Sequence, residues 1–278
     1  MLRLLDARTG SYTELRLARP GLLRVCAHVP QAAAAADISA LRVLLVADLL
    51  ARTAELGGLQ VLTALQFSGP AASHAGLDGH ADALGIHPPV TRTSSHDTPA
   101  RLGGPIDVHL VSQAASLDPG RDELSVCIGA AHLDGAESRP DAAAEDLLAG
   151  PGHDPRSVRL ALMSFPSDQP ADLTEDGLAS ARGTLAHWRR RVAGWAESPS
   201  RPVPASIMER ARAAFADLDT VSALALLRGV SLDAGVPAGA KFETFVYADR
   251  ILGLDLARDI GQPVDRAQTG PRVASGPS

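Results

Sequence analysis

The sequence predicts an α/β half built on a parallel sheet, followed by an all-helical half. Residues 21–67 read as strand, helix, strand, a βαβ unit whose crossover connection requires parallel strands. From about residue 141 the apolar spacing turns helical and stays so almost to the end. The 278 residues are 45% hydrophobic, enough for one large core or two modest ones, which excludes disordered, collagen-like and mini-protein architectures.

In chain order, residues 2–5 and 21–29 read as short strands around turns at Thr9-Gly10 and Arg19-Pro20-Gly21. Ile38, Leu41, Leu45, Leu49 and Leu56 recur at helical spacing, with Asp37 as N-cap and Gly57-Gly58 as the stop. Residues 59–67 form an apolar run of buried-strand length. Residues 68–104, rich in Gly, Pro, Ser, Thr and His, read mainly as loop, with one short helix around 80–84. Strands resume at 106–111 and 124–129. Helices are expected over 142–148, 155–163, 174–195, 204–227 and 242–251, and residues 262–278 as a disordered tail. No internal repeat is present.

Composition narrows the function. A net charge of −6 and 3% aromatics supply neither a basic field for polyanions nor stacking platforms, so any nucleic-acid contact would have to be local. Residues 41–50, the longest apolar stretch, are interrupted by Arg42 and Asp48 and fall short of the roughly 20 residues of a membrane span. The opening residues carry no secretory signal, and a cytoplasmic location without membrane attachment is expected. Cys26 and Cys127 lie too far apart for a CxxC metal knuckle and make no disulfide framework, so reduced thiols are expected.

The opening Leu2-Arg3-Leu4-Leu5-Asp6 leads to Val25-Cys26, and a helix carrying Asp48-Leu49-Leu50 ends Leu56-Gly57-Gly58. These segments resemble the first strands and helix of the class I cysteinyl-tRNA synthetase family and of the related cysteine ligase of mycothiol synthesis. Further on, Glu145-Asp146-Leu147-Leu148, the run Asp154-Pro155-Arg156-Ser157-Val158-Arg159 and Asp172-Leu173-Thr174-Glu175 are similar to the segment after the family's KMSKS loop. Phe215-Ala216-Asp217-Leu218-Asp219-Thr220 is similar to its helical-domain pattern. The resemblance implies a Rossmann-like nucleotide-binding domain over 1–140 and an all-α stem and helical bundle over 141–261. Its cofactors would be ATP and zinc, its partner tRNA, and its chemistry an adenylate.

The departures from that pattern fall on the catalytic parts. The family's His-Ile-Gly-His signature aligns with Asp37-Ile38-Ser39-Ala40, where Asp and Ala cannot stabilise charge developing on phosphates. Its KMSKS loop aligns around Glu137-Ser138-Arg139, and no lysine can restore it, because Lys241 is the one lysine among 26 basic residues. Ile106-Asp107-Val108-His109 is similar to the family's "FDIH", yet Leu110-Val111-Ser112-Gln113 replaces the nucleotide-holding glycines. Cys26 matches the first zinc ligand, while the segment that would carry the second is missing. The chain is therefore read as a shortened, degenerate paralogue that has lost ordinary aminoacylation and acts as a binding or regulatory protein for a small molecule or a protein. The alternatives are an ATP-dependent cysteine ligase with an altered site and a tRNA-binding module.

Candidate residues follow. A remnant ligand pocket would draw on Cys26, Asp37, Ser39, Asp107, His109, His132 and Arg139, and no catalytic residue is assigned. For Cys26 to bind a metal it needs partners, and His28, His109, His132 and Cys127 are the candidates. The plainer expectation is that both cysteines are small buried residues on core strands, with no complete metal set. Asp37 reads as an N-cap and His132 and Asp134 as loop residues. Arg189, Arg190 and Arg191 beside Trp188 and Trp195 form a local basic patch for RNA, against the alternative that the tryptophans share a packing face. Asp217 and Asp219 read as structural.

Overall fold

The computed structural model describes residues 2–29, 38–67, 75–94, 97–112, 123–134, 148 and 154–262. An antiparallel hairpin, β1 (Arg3–Asp6) and β2 (Ser11–Glu14), precedes the main sheet. That sheet contains β3 (Leu22–Val29), β4 (Gln60–Phe67), β5 (Thr91–Thr93), β6 (Val108–Ser112) and β7 (Leu124–Ile128), all parallel, in the order β5-β4-β3-β6-β7. Numbered by their own succession these strands run 3-2-1-4-5, the arrangement of a Rossmann-type sheet, and the order reverses between β3 and β6. Every residue of β3 is buried, as a central strand covered on both faces requires.

Helix α1 (Ile38–Leu56) makes the crossover from β3 to β4. Short helices α2 (Ala75–Ala83) and α3 (Thr98–Arg101) lie between β4 and β6. Beyond β7 come β8 (Ala131–Leu133), α4 (Pro155–Leu162) and β9 (Ala171–Leu173), then the helices α5 (Glu175–Ala196), α6 (Ala205–Ala216), α7 (Thr220–Leu232) and α8 (Ala238–Leu252). The architecture is an α/β layer followed by a helical layer. One continuous apolar core runs from Val25 and Ala27 on the sheet through Leu41, Leu45 and Leu49 to Leu160, Trp188 and Phe245.

Sequence reasoning missed the shortest elements. β5, β8 and β9 have three residues each, too few to display a period of two, and β8 pairs in parallel with β9 across some forty residues. β2 lies between the two expected turns, in residues assigned no element from the sequence, and α2 starts before the helix expected at 80–84. The single helix expected over 204–227 is two. Leu218 takes a left-handed φ of 53°, and the Asp219 carboxylate accepts from the Ser222 N–H to start α7. Asp217 at that break accepts from Arg3 Nε and Nη2 at 2.8 and 2.6 Å, tying α6 to the hairpin. The helix expected at 142–148, apart from Leu148, and the tail beyond residue 262 lie outside the described residues.

Helix α1 packs between the sheet and the helical layer, so its polar residues face protein on nearly every side. Asp48 and Arg159 of α4 meet there with side chains fully shielded, Arg159 Nη2 lying 2.6 Å from Asp48 Oδ2. Arg52 Nε donates to the same oxygen at 2.8 Å, and the His87 N–H donates to Oδ1 at 3.1 Å. Arg159 Nε then donates to the Leu252 carbonyl at 2.6 Å, fastening the end of α8. Gly253 makes this approach possible. Its φ of +60° is left-handed, and a Cβ there would sit 3.0 Å from the Arg159 guanidinium. Burial opposes ionisation of Asp48, but Arg159 and Arg52 outweigh it and hold the carboxyl below its ordinary range.

Arg159→Leu is expected to lower the unfolding free energy by about 3 kcal/mol, because it leaves a buried carboxylate short of its partner. The Asp48→Asn, Arg159→Leu double variant should recover part of that loss in urea denaturation, and additive losses would contradict the pairing. With its pKa depressed on folding, Asp48 contributes stability above the ordinary carboxylate range and loses it as pH falls through the depressed value. The single variant should therefore show a flatter acid limb.

Candidate functional site

Strand alternation separates the two faces of the sheet. Val25 and Ala27 pack with α1, whereas Cys26 belongs to a separate small cluster with Ala64, Leu102 and Ile106 on the opposite face. His28, two residues after Cys26, shares that face, and His109 on β6 is the register partner of Cys26. Parallel pairing thus brings three ligand-type side chains together, exposed by 0%, 7% and 8%. Their donor atoms all lie within 4.8 Å of one another.

The polar contacts of this cluster are specific. His28 Nε2 and His109 Nδ1 are 2.8 Å apart, and the rings stack with centroids 5.1 Å apart. The other nitrogen of His109, Nε2, faces Glu123 Oε2 at 3.2 Å. The Cys26 thiol points to Gln66 Oε1 at 3.8 Å, and the Thr98 hydroxyl donates to the same oxygen at 3.1 Å. Burial pushes the Cys26 thiol up to about 12, so by itself it is a poor nucleophile at neutral pH. Burial also lowers His109, against the opposing pull of Glu123. Arg24, two residues before Cys26, donates to the Leu102 and Gly103 carbonyls and fixes the α3 turn over this face.

The side of the sheet facing α1 has a different character. Ser39 in the first turn of α1 donates to the Ala131 carbonyl at 3.0 Å and accepts from the Ala131 N–H at 2.9 Å. Arg42 is 1% exposed and donates to four carbonyls, of Gly129, Ala130, Pro166 and Gln169. Burial draws its guanidinium down to about 10, and it remains charged at neutral pH. The entry turn of α1 is therefore joined to the backbone after β7 and before β9. Lys241 sits in α8, its Nζ donating to the Ser231 carbonyl at 3.0 Å, far along the chain from this turn.

The remaining sequence candidates divide clearly. Asp107 is buried, but its two oxygens accept from the Ala18 and Arg24 N–H groups at 2.7 Å each, which makes it a clamp at the start of β6. His132 is exposed on β8, and Cys127 lies on β7 outside the thiol and imidazole cluster. Asp37 and Arg139 lie outside the described residues. The basic patch does not assemble as expected. Arg189 is 2% exposed and donates to the Leu254 and Asp255 carbonyls and to the Asp154 carboxylate. Arg190 and Arg191 are exposed, and Arg191 lies over the Trp195 ring at 5.2 Å. Trp188 and Trp195 both pack edge-on against Phe245 in the core. Arg189 is thus a structural link between α5 and the end of the helical layer, because its position on α5 is on the packed side.

Two implied cofactors can be tested against these residues. For zinc, which the sequence resemblance implies, the described residues bring Cys26 together with His28 and His109 as ligand-type side chains. Phosphates at the α1 entry would need cations, and the described residues there direct their donors to protein carbonyls. An apolar cavity of about 510 Å³ lined by Leu15, Leu56, Phe215 and Tyr247 lies near the other end of α1 and contains none of the candidate residues.

No family model matches the sequence, and no curated protein matches it. Among solved structures, the arginyl-tRNA synthetase of Thermus thermophilus is similar at 9% identity and a TM-score of 0.47, over 86% of this chain and 82% of that one. A putative arginyl-tRNA synthetase from Campylobacter jejuni is similar at 7% identity and a TM-score of 0.47, over 84% and 89% of the two chains. No helix among the described residues is long and apolar enough to cross a membrane.

With a disulfide probe such as dithionitrobenzoate, Cys127, which is partly exposed, should react before Cys26, and denaturant should release the second equivalent. Rapid reaction of both thiols in the native protein would contradict the burial of Cys26. Arg189→Ala should destabilise the fold by about 2 kcal/mol through the carbonyls left unpaired, whereas Arg190→Ala should stay within about 0.5 kcal/mol. Thermal denaturation of the two variants checks this contrast.

Proposed function

We propose that this chain is a class I cysteinyl-tRNA synthetase-like protein that does not aminoacylate tRNA and acts instead by binding a small molecule or a protein partner. The observation that carries this reading is the state of the α1 entry turn. Ser39 is bonded to Ala131 in both directions, and Arg42 holds four carbonyls. Ser39 lies within, and Arg42 just after, the stretch aligned with the family's phosphate-stabilising histidines, and their polar groups are engaged in holding the fold. A Rossmann-type strand order and the sequence resemblance support the wider placement. So does the run of the motif residues Asp48, Arg159 and Asp219 into structural roles.

On this reading residues 1–140 are a degenerate nucleotide-binding domain, residues 141–261 a stem and helical domain, and the protein works in the cytoplasm. The ATP-dependent cysteine ligase reading has less support, because it needs cations at the α1 entry that the described residues do not offer. The tRNA-binding reading loses Arg189, which is held inside the helical layer. Arg190 and Arg191 alone would give only weak retention with a shallow salt dependence.

Cysteine-dependent exchange of pyrophosphate into ATP tests the proposal. The purified chain is expected to show exchange no faster than a no-enzyme control, with and without added zinc. Exchange that requires cysteine and saturates with ATP would overturn the reading in favour of the ligase.

A further inference from the structure

We propose that Cys26, His28 and His109 form a binding site for a borderline-soft divalent transition ion, zinc foremost, with Glu123 orienting His109. The site lies on the sheet face opposite α1 and uses a ligand set different from the one the sequence resemblance implies. It stands independently of whether the chain activates cysteine.

A thiol and an imidazole two residues apart on β3 share one face, and the second imidazole comes from the residue of β6 paired with that thiol. Backbone pairing within the core of the sheet thus holds all three donors on two adjacent central strands, and their donor atoms already lie within 4.8 Å of one another. The types match too. One thiolate and two neutral imidazoles form a mixed sulfur and nitrogen set suited to zinc or cobalt and poorly suited to calcium or magnesium.

The orientation of His109 is the second observation. Its Nε2 faces Glu123 Oε2 at 3.2 Å while its Nδ1 faces His28 Nε2 at 2.8 Å. A carboxylate that accepts the Nε2 proton leaves the Nδ1 lone pair directed at the centre of the cluster. This is the arrangement by which a second carboxylate fixes the tautomer of a metal-binding histidine. Without the ion, the two imidazoles share a proton at 2.8 Å. A tetrahedral ion about 2.0–2.1 Å from each nitrogen sets them roughly 3.3 Å apart, so the rings need to part by about half an ångström. The ion takes the place of the shared proton, which passes through solvent to His28 Nδ1 so that both imidazoles stay neutral, and the Cys26 thiol gives its proton to solvent on becoming a thiolate.

Three protein ligands leave one tetrahedral position for water or another exogenous ligand, as in zinc sites that act on or bind small molecules. Gln66 and Thr98 lie beside the sulfur and supply hydrogen-bonding groups there. The binding activity assigned to the protein thereby gains a specific face of the sheet.

The probe is the metal alone, added to the full chain stripped of metal. Calorimetry with Zn²⁺ should show one equivalent bound with a Kd below about 1 µM, and Co²⁺ should give the intense visible bands of a tetrahedral site with a thiolate-to-cobalt charge-transfer band. Cys26→Ser should abolish the charge-transfer band, and His109→Ala should weaken Zn²⁺ binding at least 100-fold. Because both are core substitutions, Glu123→Gln and His28→Gln serve as milder variants, with circular dichroism as the check on folding. Glu123→Gln should weaken binding roughly 10–100-fold by loosening the hold on the His109 ring. No uptake by the wild-type chain would overturn the site. So would Zn²⁺ affinity that is the same in the folded Glu123→Gln and His28→Gln variants, since the ion would then sit elsewhere.

Discussion

The buried pair of Asp48 and Arg159 is the constraint on which the two layers of this protein depend. Two charges withdrawn from water are tolerable only when every remaining lone pair and donor finds a partner. Here that requirement recruits Arg52, the His87 N–H and the Leu252 carbonyl. The partners come from α1, the segment after α2, α4 and the end of α8, so satisfying the pair ties α1 to α4 and to the end of α8. Gly253 and Gly85 belong to the same solution. A side chain at Gly85 would stand 1.3 Å from Arg156 Nη1, whose guanidinium reaches the Leu84 carbonyl beside Arg159.

Arg42 extends this logic to the opposite end of the same helix. Its guanidinium gathers carbonyls from the turn after β7 and from the loop before β9, so its donors are directed at protein backbone. A positive charge held this way is available to orient the fold and unavailable to a phosphate. The polar chemistry that remains organised on the sheet lies on the other face, where Cys26, His28 and His109 converge between β3 and β6. The division between a structural face and a ligand-type face follows directly from strand alternation.

Much of the fold was legible in the sequence, and the reasons are physical. A fully buried central strand must read as an apolar run, and α1 must show helical spacing because it is covered on several sides. The interruptions at Arg42 and Asp48, which argued against a membrane span, turn out to be the two polar anchors of that helix. Asp154, Asp219 and Thr174 each cap a helix with a side-chain oxygen, a signal local enough to read in one dimension. Three-residue strands and the parallel pairing of β8 with β9 were not legible, because their partners are distant in sequence. For the same reason the meeting of Cys26, His28 and His109 could be named only as one of several combinations with His132 and Cys127. Register decides among them, and register is a property of the assembled sheet. The arginine cluster misled because adjacent residues on a helix point in different directions, and Arg189 is the one that turns inward.

The proposed function stands on the α1 side of this Rossmann-type sheet not receiving an adenylate. Calorimetry with a non-hydrolysable cysteinyl-adenylate analogue, on metal-free and zinc-loaded protein, tests it directly because it probes the whole pocket without requiring catalysis. The expected result is no saturable binding in either form. Micromolar or tighter binding, competed by ATP, would contradict the claim and return the α1 entry to nucleotide chemistry.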